Sequence, residues 1–278
     1  MSIEALKTAV TLAHRAGRII RDDFGKGGQV AFKGEVNPVT ETDMAAERVI
    51  LEGLQEAFPS HTILGEETGF EEALQRSDRE TPHWVVDPLD GTNNFAHTFP
   101  HVCVSLGLLV DGTVIVGVVY DPLREETFTA LRGEGASLNG DPIAVSKTST
   151  LANAFLATGF PYDRRVAAFN NATMLDYFLR RSQGVRRAGS AALDLAYVAA
   201  GRFDGFWEPK LSPWDVAAGL LLVEEAGGRT SDFEGGVARL LTGEEVVANN
   251  GRIHEEMLTV LRDGPAAPHP DLSALGGG

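Results

Sequence analysis

Cysteine is nearly absent from this chain of 278 residues: Cys103 is the only one. An intramolecular disulfide is therefore impossible, and zinc sites built from two to four cysteines are excluded. No apolar run is long enough to cross a bilayer. Residues 2–24 mix acids and bases without the continuous apolar core of a signal peptide, so a cytoplasmic protein is expected. The seven histidines show no metal-ligand spacing. Positive charge is scarce as well, with 24 Lys and Arg against 39 Asp and Glu and a formal net charge of -15. That balance disfavours direct nucleic-acid binding, which draws on Lys and Arg contacts to phosphates. It leaves room for a protein partner that itself binds RNA. No internal repeat is visible.

A hydrophobic content of 43% argues against disorder. The segment that says most is Trp84-Val85-Val86-Asp87-Pro88-Leu89-Asp90-Gly91-Thr92-Asn93-Asn94-Phe95. It reads as a buried strand ending in a turn, with Pro88 and Gly91 bending the chain. Asp90-Gly91 alone would be most simply a solvated turn. Two acids so close repel each other unless a cation sits between them, and Mg²⁺ is the simplest cation for all-oxygen ligands. Further acids sit at the edges of apolar or turn segments in Thr40-Glu41-Thr42-Asp43, Gly65-Glu66-Glu67 and Trp214-Asp215.

The rest of the pattern predicts an α+β half followed by an α/β half, with a seam near residues 146–151. Leu6, Ala9, Val10, Ala13, Ala16, Ile19 and Ile20 recur at helical spacing. A second helix is expected from Thr42 to Phe58. Strands and hairpins follow from His101 to Ala130, turning at Asp111-Gly112 and Asp121-Pro122. Beyond the seam come a strand at Phe155–Gly159, a helix over Ala167–Gln183, an alanine-rich helix at Ala191–Gly201, a strand at Asp204–Glu208 and a helix at Val216–Ala226. Glu71–Glu80 reads as a surface loop or short helix. The tail after Gly264 reads as disordered or as an expression scar. Cys103 reads as a core thiol, and His97 and His101 as surface residues flanking a loop.

Four segments together resemble the inositol monophosphatase family: Asn37-Pro38-Val39-Thr40-Glu41-Thr42-Asp43, Gly65-Glu66-Glu67, Asp87-Pro88-Leu89-Asp90-Gly91-Thr92 and Trp214-Asp215-Val216-Ala217-Ala218-Gly219. They occur in the family's order, and the resemblance runs from about residue 5 to residue 262. It implies a layered αβαβα sandwich of the sugar-phosphatase type, with an N-terminal lobe over 1–146 and a C-terminal lobe over 147–264. It also implies a Mg²⁺-dependent, lithium-sensitive phosphatase acting on a small phosphate substrate, commonly a dimer. Hydrolysing a phosphate monoester needs an activated water, neutralised phosphoryl charge and a stabilised leaving oxygen, and paired divalent ions can supply all three.

The resemblance also distributes roles. Glu66, Asp87 and the carbonyl of Leu89 would hold a first Mg²⁺. Asp87 would bridge to a second, completed by Asp90 and Asp215, and a weaker third ion would lean on Glu66. Glu67 would act through water, and Trp214 would pack to hold Asp215. Asp43 would polarise the Thr92 hydroxyl, which orients the attacking water; by itself Asp43 could equally be a helix N-terminal acid. Backbone N–H groups of Gly91 and Thr92 would meet the phosphate. Asp90, Ser190, the Ala191 backbone and Glu208 would hold the sugar, although one Glu at a strand end could also be a plain surface acid.

Three positions depart from the family pattern. Pro209-Lys210 follows Glu208 where many members have a residue and then glycine, Asn93 replaces a common threonine, and Lys33 lies one residue short of a metal-associated lysine. Arg186-Arg187 is the basic pair near the expected site. Inositol monophosphate is the substrate these residues favour. Fructose 1,6-bisphosphate, histidinol phosphate and a 3′-phosphonucleotide are alternatives within the superfamily. A different class of function, binding to the transcription machinery, is implied by bacterial relatives. An aspartyl-phosphate mechanism wants two acids two apart, whereas Asp87 and Asp90 are three apart.

Overall fold

The computed structural model describes residues 2–26, 30–33, 37–66, 81–166, 170–237 and 244–264. Helix α1 (Ser2–Asp23) leads to an antiparallel pair, β1 (Val30–Lys33) and β2 (Asn37–Thr40), and then to α2 (Glu41–Ala57). Strands β3 (Thr62–Gly65) and β4 (His83–Asp90) precede the five-residue helix α3 (Thr92–Ala96). A meander follows: β5 (Cys103–Val110), β6 (Thr113–Asp121), β7 (Glu126–Leu131), β8 (Gly135–Leu138) and β9 (Asp141–Pro142). The remainder comprises β10 (Phe155–Thr158), α4 (Ala172–Leu179), β11 (Gly184–Arg186), α5 (Ala191–Ala199), β12 (Gly205–Pro209), α6 (Pro213–Glu225), β13 (Arg229–Ser231), β14 (Glu245–Asn249) and α7 (His254–Asp263).

Strands β3 to β9 form a seven-stranded sheet in sequence order, parallel between β3 and β4 and antiparallel thereafter. A five-stranded mixed sheet runs in the order β11-β10-β12-β14-β13. The period-two alternation of strands sorts the side chains between layers. Trp84 and Val86 of β4 join a core with Ala9, Ala13 and Ile20 of α1 and Ile50 of α2. Val85 points the other way, into a core with Leu195 of α5, Val223 of α6 and Phe206 of β12. A third core sets Phe178 of α4 and Met257 of α7 against Leu156 and Trp207. The order is helices, sheet, helices, sheet, helices: the αβαβα sandwich.

The middle layer sits unusually close to its sheet. Gly107 and Gly117 are register partners on β5 and β6. A Cβ at Gly117 would lie 2.8 Å from the carbonyl oxygen of Ala218, and one at Gly107 would lie 3.0 Å from the Cβ of Ala217. The small residues of α6 therefore rest on a patch of bare backbone, which draws the helix start, with Asp215, toward the end of β4.

Several sequence expectations shift. The helix expected over Ala167–Gln183 begins at Ala172, because Asn171 takes a left-handed φ of 69° and cannot continue a helix. Helix α6 starts earlier than Val216, at Pro213, which suits a first helical position. Residues 71–80, the tail after Gly264, Glu67 and the side chain of Lys33 lie outside the described residues. Among the described residues no helix is long and apolar enough to cross a membrane.

Candidate active site

The site begins with a proline that cannot pair. Pro88 has no N–H to offer β5, and the β4–β5 register slips between Asp87↔Ser105 and Asp90↔Cys103. Within this bulge Asp87 Oδ1 accepts the N–H of Leu89 at 3.0 Å. Gly91 then takes a φ of 95°, and a Cβ there would lie 2.9 Å from the carbonyl oxygen of His101. Only glycine fits that position, and α3 starts immediately after it.

Thr92, the first residue of α3, donates its hydroxyl to Asp43 Oδ1 at 2.9 Å and lies 3.1 Å from the carbonyl oxygen of Leu89. Asp43 is only 1% exposed and sits in the first turn of α2. The helix-terminal position and the contact with Thr92 thus coexist in one side chain. Asp215 Oδ2 accepts the N–H of Ser212 at 2.7 Å, closing the first turn of α6. Asp90 Oδ2 accepts the hydroxyl of Ser190 and the N–H of Ala192, both at 2.7 Å.

One pattern runs through the three aspartates. Each commits one carboxylate oxygen to the chain and keeps the other without a hydrogen bond among the described residues. Their charges oppose one another. Burial first, then Glu66, Asp90 and Asp215, push the Asp87 carboxyl well above its usual range. Burial raises Asp90 to about 6, and burial with Asp90 raises Asp215 to about 7. Glu66 follows β3, which pairs in parallel with β4. Its N–H donates to the carbonyl of Val86 at 3.2 Å.

Among the described residues no three His, Cys, Asp or Glu side chains converge tightly enough to form a finished metal cage. The donor set nonetheless fits a hard divalent cation. It is all oxygen, and only backbone N–H groups and the Ser190 hydroxyl bond to the three aspartates beyond a weak Cys103 contact. Asp90 and Asp215 line one pocket.

Glu208 lies in β12 and is 7% exposed, so it is not the surface acid its strand-end position allowed. Its carboxyl makes no hydrogen bond with the described residues, lines the pocket and lies over Gly159, where a Cβ would collide with it. Burial raises it well above its usual range, opposed by Arg187. Arg187 and Tyr162 line the same pocket. Burial and the nearby acids Asp215, Glu66, Asp90 and Asp87 raise the Tyr162 hydroxyl.

Ser190, expected at the sugar, has its hydroxyl on Asp90, while Ala191 lines the pocket. Trp214 is half-buried, and its carbonyl accepts the Ser105 hydroxyl at 3.1 Å. Three contributors escape a linear reading. Cys103 is fully buried, but its thiol lies 3.5 Å from Ser190 Oγ and 3.9 Å from Asp90 Oδ2, so it touches the site as well as the core. His101 is 6% exposed rather than on the surface, and its Nε2 lies 3.1 Å from Asp194 Oδ1. Asn94 donates to the carbonyls of His101 and Ala188, at 2.7 and 2.9 Å. The one available signal was Asp194, an acid on the apolar, alanine-rich α5, where burial demands a partner.

Fold and pocket define a class: a layered sandwich of the sugar-phosphatase type with a carboxylate-lined pocket at its strand ends. The chain belongs to the inositol monophosphatase family, whose pattern it matches over residues 3–266. It is 46% identical over 260 residues to the Nus factor SuhB of Escherichia coli K12, covering 93% of this chain and 96% of that protein. It is 45% identical over 262 residues to an inositol-1-monophosphatase of Synechocystis, covering 94% and 89%. The structure of inositol monophosphatase from Anabaena (Nostoc) superposes with a TM-score of 0.84 at 42% identity, covering 97% of each chain. Membership of this family supports phosphatase activity.

Proposed function

We propose that this protein is a Mg²⁺-dependent phosphomonoesterase that hydrolyses inositol 1-phosphate or a similar small sugar phosphate. One observation carries the reading: the buried Asp87 and the half-buried Asp90 and Asp215 each have one carboxylate oxygen without a hydrogen bond among the described residues, beside a Thr92–Asp43 hydrogen bond. Glu66, Asp87, Asp90, Asp215 and the Leu89 carbonyl would hold two or three Mg²⁺. When bound, Mg²⁺ neutralises phosphoryl charge and lowers the pKa of water.

The chain's own groups do the positioning. The Thr92 proton has two acceptors within reach, Asp43 and the Leu89 carbonyl, so its oxygen presents lone pairs to the pocket. A water there must donate to Thr92, which turns its own lone pair toward phosphorus. A proton leaving that water can pass through Thr92 to Asp43. The first N–H groups of α3 have no intrahelical partner and face an anion naturally. At the far wall Glu208, buried and without a hydrogen bond to the described residues, accepts from sugar hydroxyls. Asp90, held by Ser190 and Ala192, sits between the two ends.

Phosphate release with and without Mg²⁺ tests this across inositol 1-phosphate, fructose 1,6-bisphosphate, histidinol phosphate and 3′-phosphoadenosine 5′-phosphate. Mg²⁺-dependent turnover strongest on inositol 1-phosphate is expected. Another preferred substrate would move the specificity assignment, and turnover independent of Mg²⁺ would reject the metal assignment.

The similarity to proteins named Nus factor SuhB favours a second, regulatory reading. It predicts binding to a component of the transcription machinery that survives Asp215→Asn. Loss of all such binding in pull-downs with purified components would exclude it.

A further inference from the structure

Strands β10 and β12 pair in parallel as far as Thr158↔Trp207 and then part. Beyond that point one chain supplies Gly159, Phe160 and Tyr162, and the other supplies Glu208; all line the pocket. The crevice between diverging strands at their C-terminal ends is where open α/β sheets receive ligands. Lys210, one residue before the pocket-lining Leu211, places its Nζ 2.6 Å from Oδ2 of Asp163, which follows the pocket-lining Tyr162.

Lys210 is held in place at a cost. Its φ is 61°, a left-handed conformation that a residue with a Cβ adopts reluctantly. Its N–H donates to the carbonyl of Glu244 at 2.8 Å. Glycine would take this backbone without strain. Asp163 lies between Tyr162 and Arg164, two pocket-lining residues, in a turn closed by Arg164 N–H to Pro161 O at 3.1 Å and Val166 N–H to Asp163 O at 2.9 Å.

We propose that the Lys210–Asp163 ion pair is a clasp that fixes the Tyr162–Arg164 turn against the pocket mouth, making Lys210 a positioning residue for the organic part of the substrate. This rests on the phosphomonoesterase reading, in which Glu208 faces the sugar. The pair is half-exposed, with side-chain exposures of 44% and 47%, so its worth is at most about five-fold in an equilibrium. The clasp touches the rim and not Asp90, Asp215 or Thr92. Its loss therefore acts on binding of the sugar and not on turnover.

The test compares Lys210→Met, Lys210→Gly, Asp163→Asn and the double exchange Lys210→Asp with Asp163→Lys, using inositol 1-phosphate and a small aryl phosphate. Each single variant is expected to raise KM for inositol 1-phosphate about three- to five-fold, with kcat and the aryl phosphate KM unchanged. The exchanged pair should recover most of that loss. Lys210→Gly should raise KM yet melt at a higher temperature than Lys210→Met, because glycine removes the left-handed strain. High salt should bring the wild-type KM toward that of Lys210→Met. Amide hydrogen exchange over residues 161–166 should quicken in Lys210→Met. Unchanged KM, equal changes for both substrates, or unaltered exchange would overturn the clasp. A wild-type protein that hydrolyses neither substrate would sink the functional reading instead, and the exchange rates would then judge the clasp by themselves.

Discussion

The two walls of the pocket are built on opposite plans. On the Asp90 wall every acid is half tied down by hydrogen bonds of 2.7–3.0 Å from the chain. On the Glu208 wall the buried carboxyl has no hydrogen-bond partner in the described residues, and the nearby turn adds one half-exposed ion pair to its own backbone hydrogen bonds. The first wall is preorganised, which is what charge stabilisation in a reaction demands. The second leaves its hydrogen-bonding capacity to the ligand, which is what selection among substrates demands. On the proposed function, reaction and choice of substrate are carried by different walls and should fail separately.

The sharpest way to break this comparison is at the preorganised wall. Asp90→Asn or Asp215→Asn should lower kcat on the order of 10³-fold with the fold intact, since each removes charge without removing volume. Activity near wild type in both would reject the assignment. The same variants should melt higher than wild type in chelator at neutral pH. The sign follows from Asp90 at about 6 and Asp215 at about 7, both above the usual carboxylate value. The folded chain then binds more protons than the unfolded one between about pH 4 and pH 7, so this contribution to stability is lost as pH rises through that window.

Thr92→Val should cost on the order of 10²-fold in kcat, the range of a positioned proton relay, with little change in KM. An equal loss in KM alone would make Thr92 a binding group. Glu208→Ala should do the reverse, raising KM for inositol 1-phosphate about ten-fold while sparing a small aryl phosphate. Similar effects on both esters would erase the division between the walls.

The smallest effect on activity is expected far from the pocket, at His254. Its Nδ1 lies 2.9 Å from Asn249 Nδ2 and its Nε2 lies 3.2 Å from Ser231 Oγ. Asn249 donates to Nδ1, so the neutral ring carries its proton on Nε2. Burial lowers its pKa from 6.5 to about 4. Stability from this residue is complete above about pH 6.5 and lost as pH falls toward 4, because the unfolded chain takes up the proton first. The melting temperature of His254→Gln should fall less steeply than wild type over that range, with kcat at neutral pH unchanged.

The site divides by how far along the chain its partners lie. Asp87, Asp90 and Thr92 share one strand-turn-helix segment, so their grouping is visible in a short stretch of letters. The partners of Asp90 are about a hundred residues away, at Ser190 and Ala192, and no local pattern announces them. His101 follows an exposed proline and has no apolar periodicity around it, so its burial against Asp194 comes from tertiary packing alone. Element types followed the hydrophobic pattern well from His101 to Ala130, where tight turns punctuate it. They followed it poorly at Asn171, where a left-handed residue trims the helix.

The bare backbone at Gly107 and Gly117 has a consequence for how this protein can vary. Helix α6 is seated by the absence of two methyl groups in the interior of the sheet, and Asp215 stands at the end of that helix. A side chain at position 117 would therefore press on α6 although the residue lies outside the pocket lining. One added carbon atom, invisible at the surface, would be felt in the pocket as a carboxylate out of place.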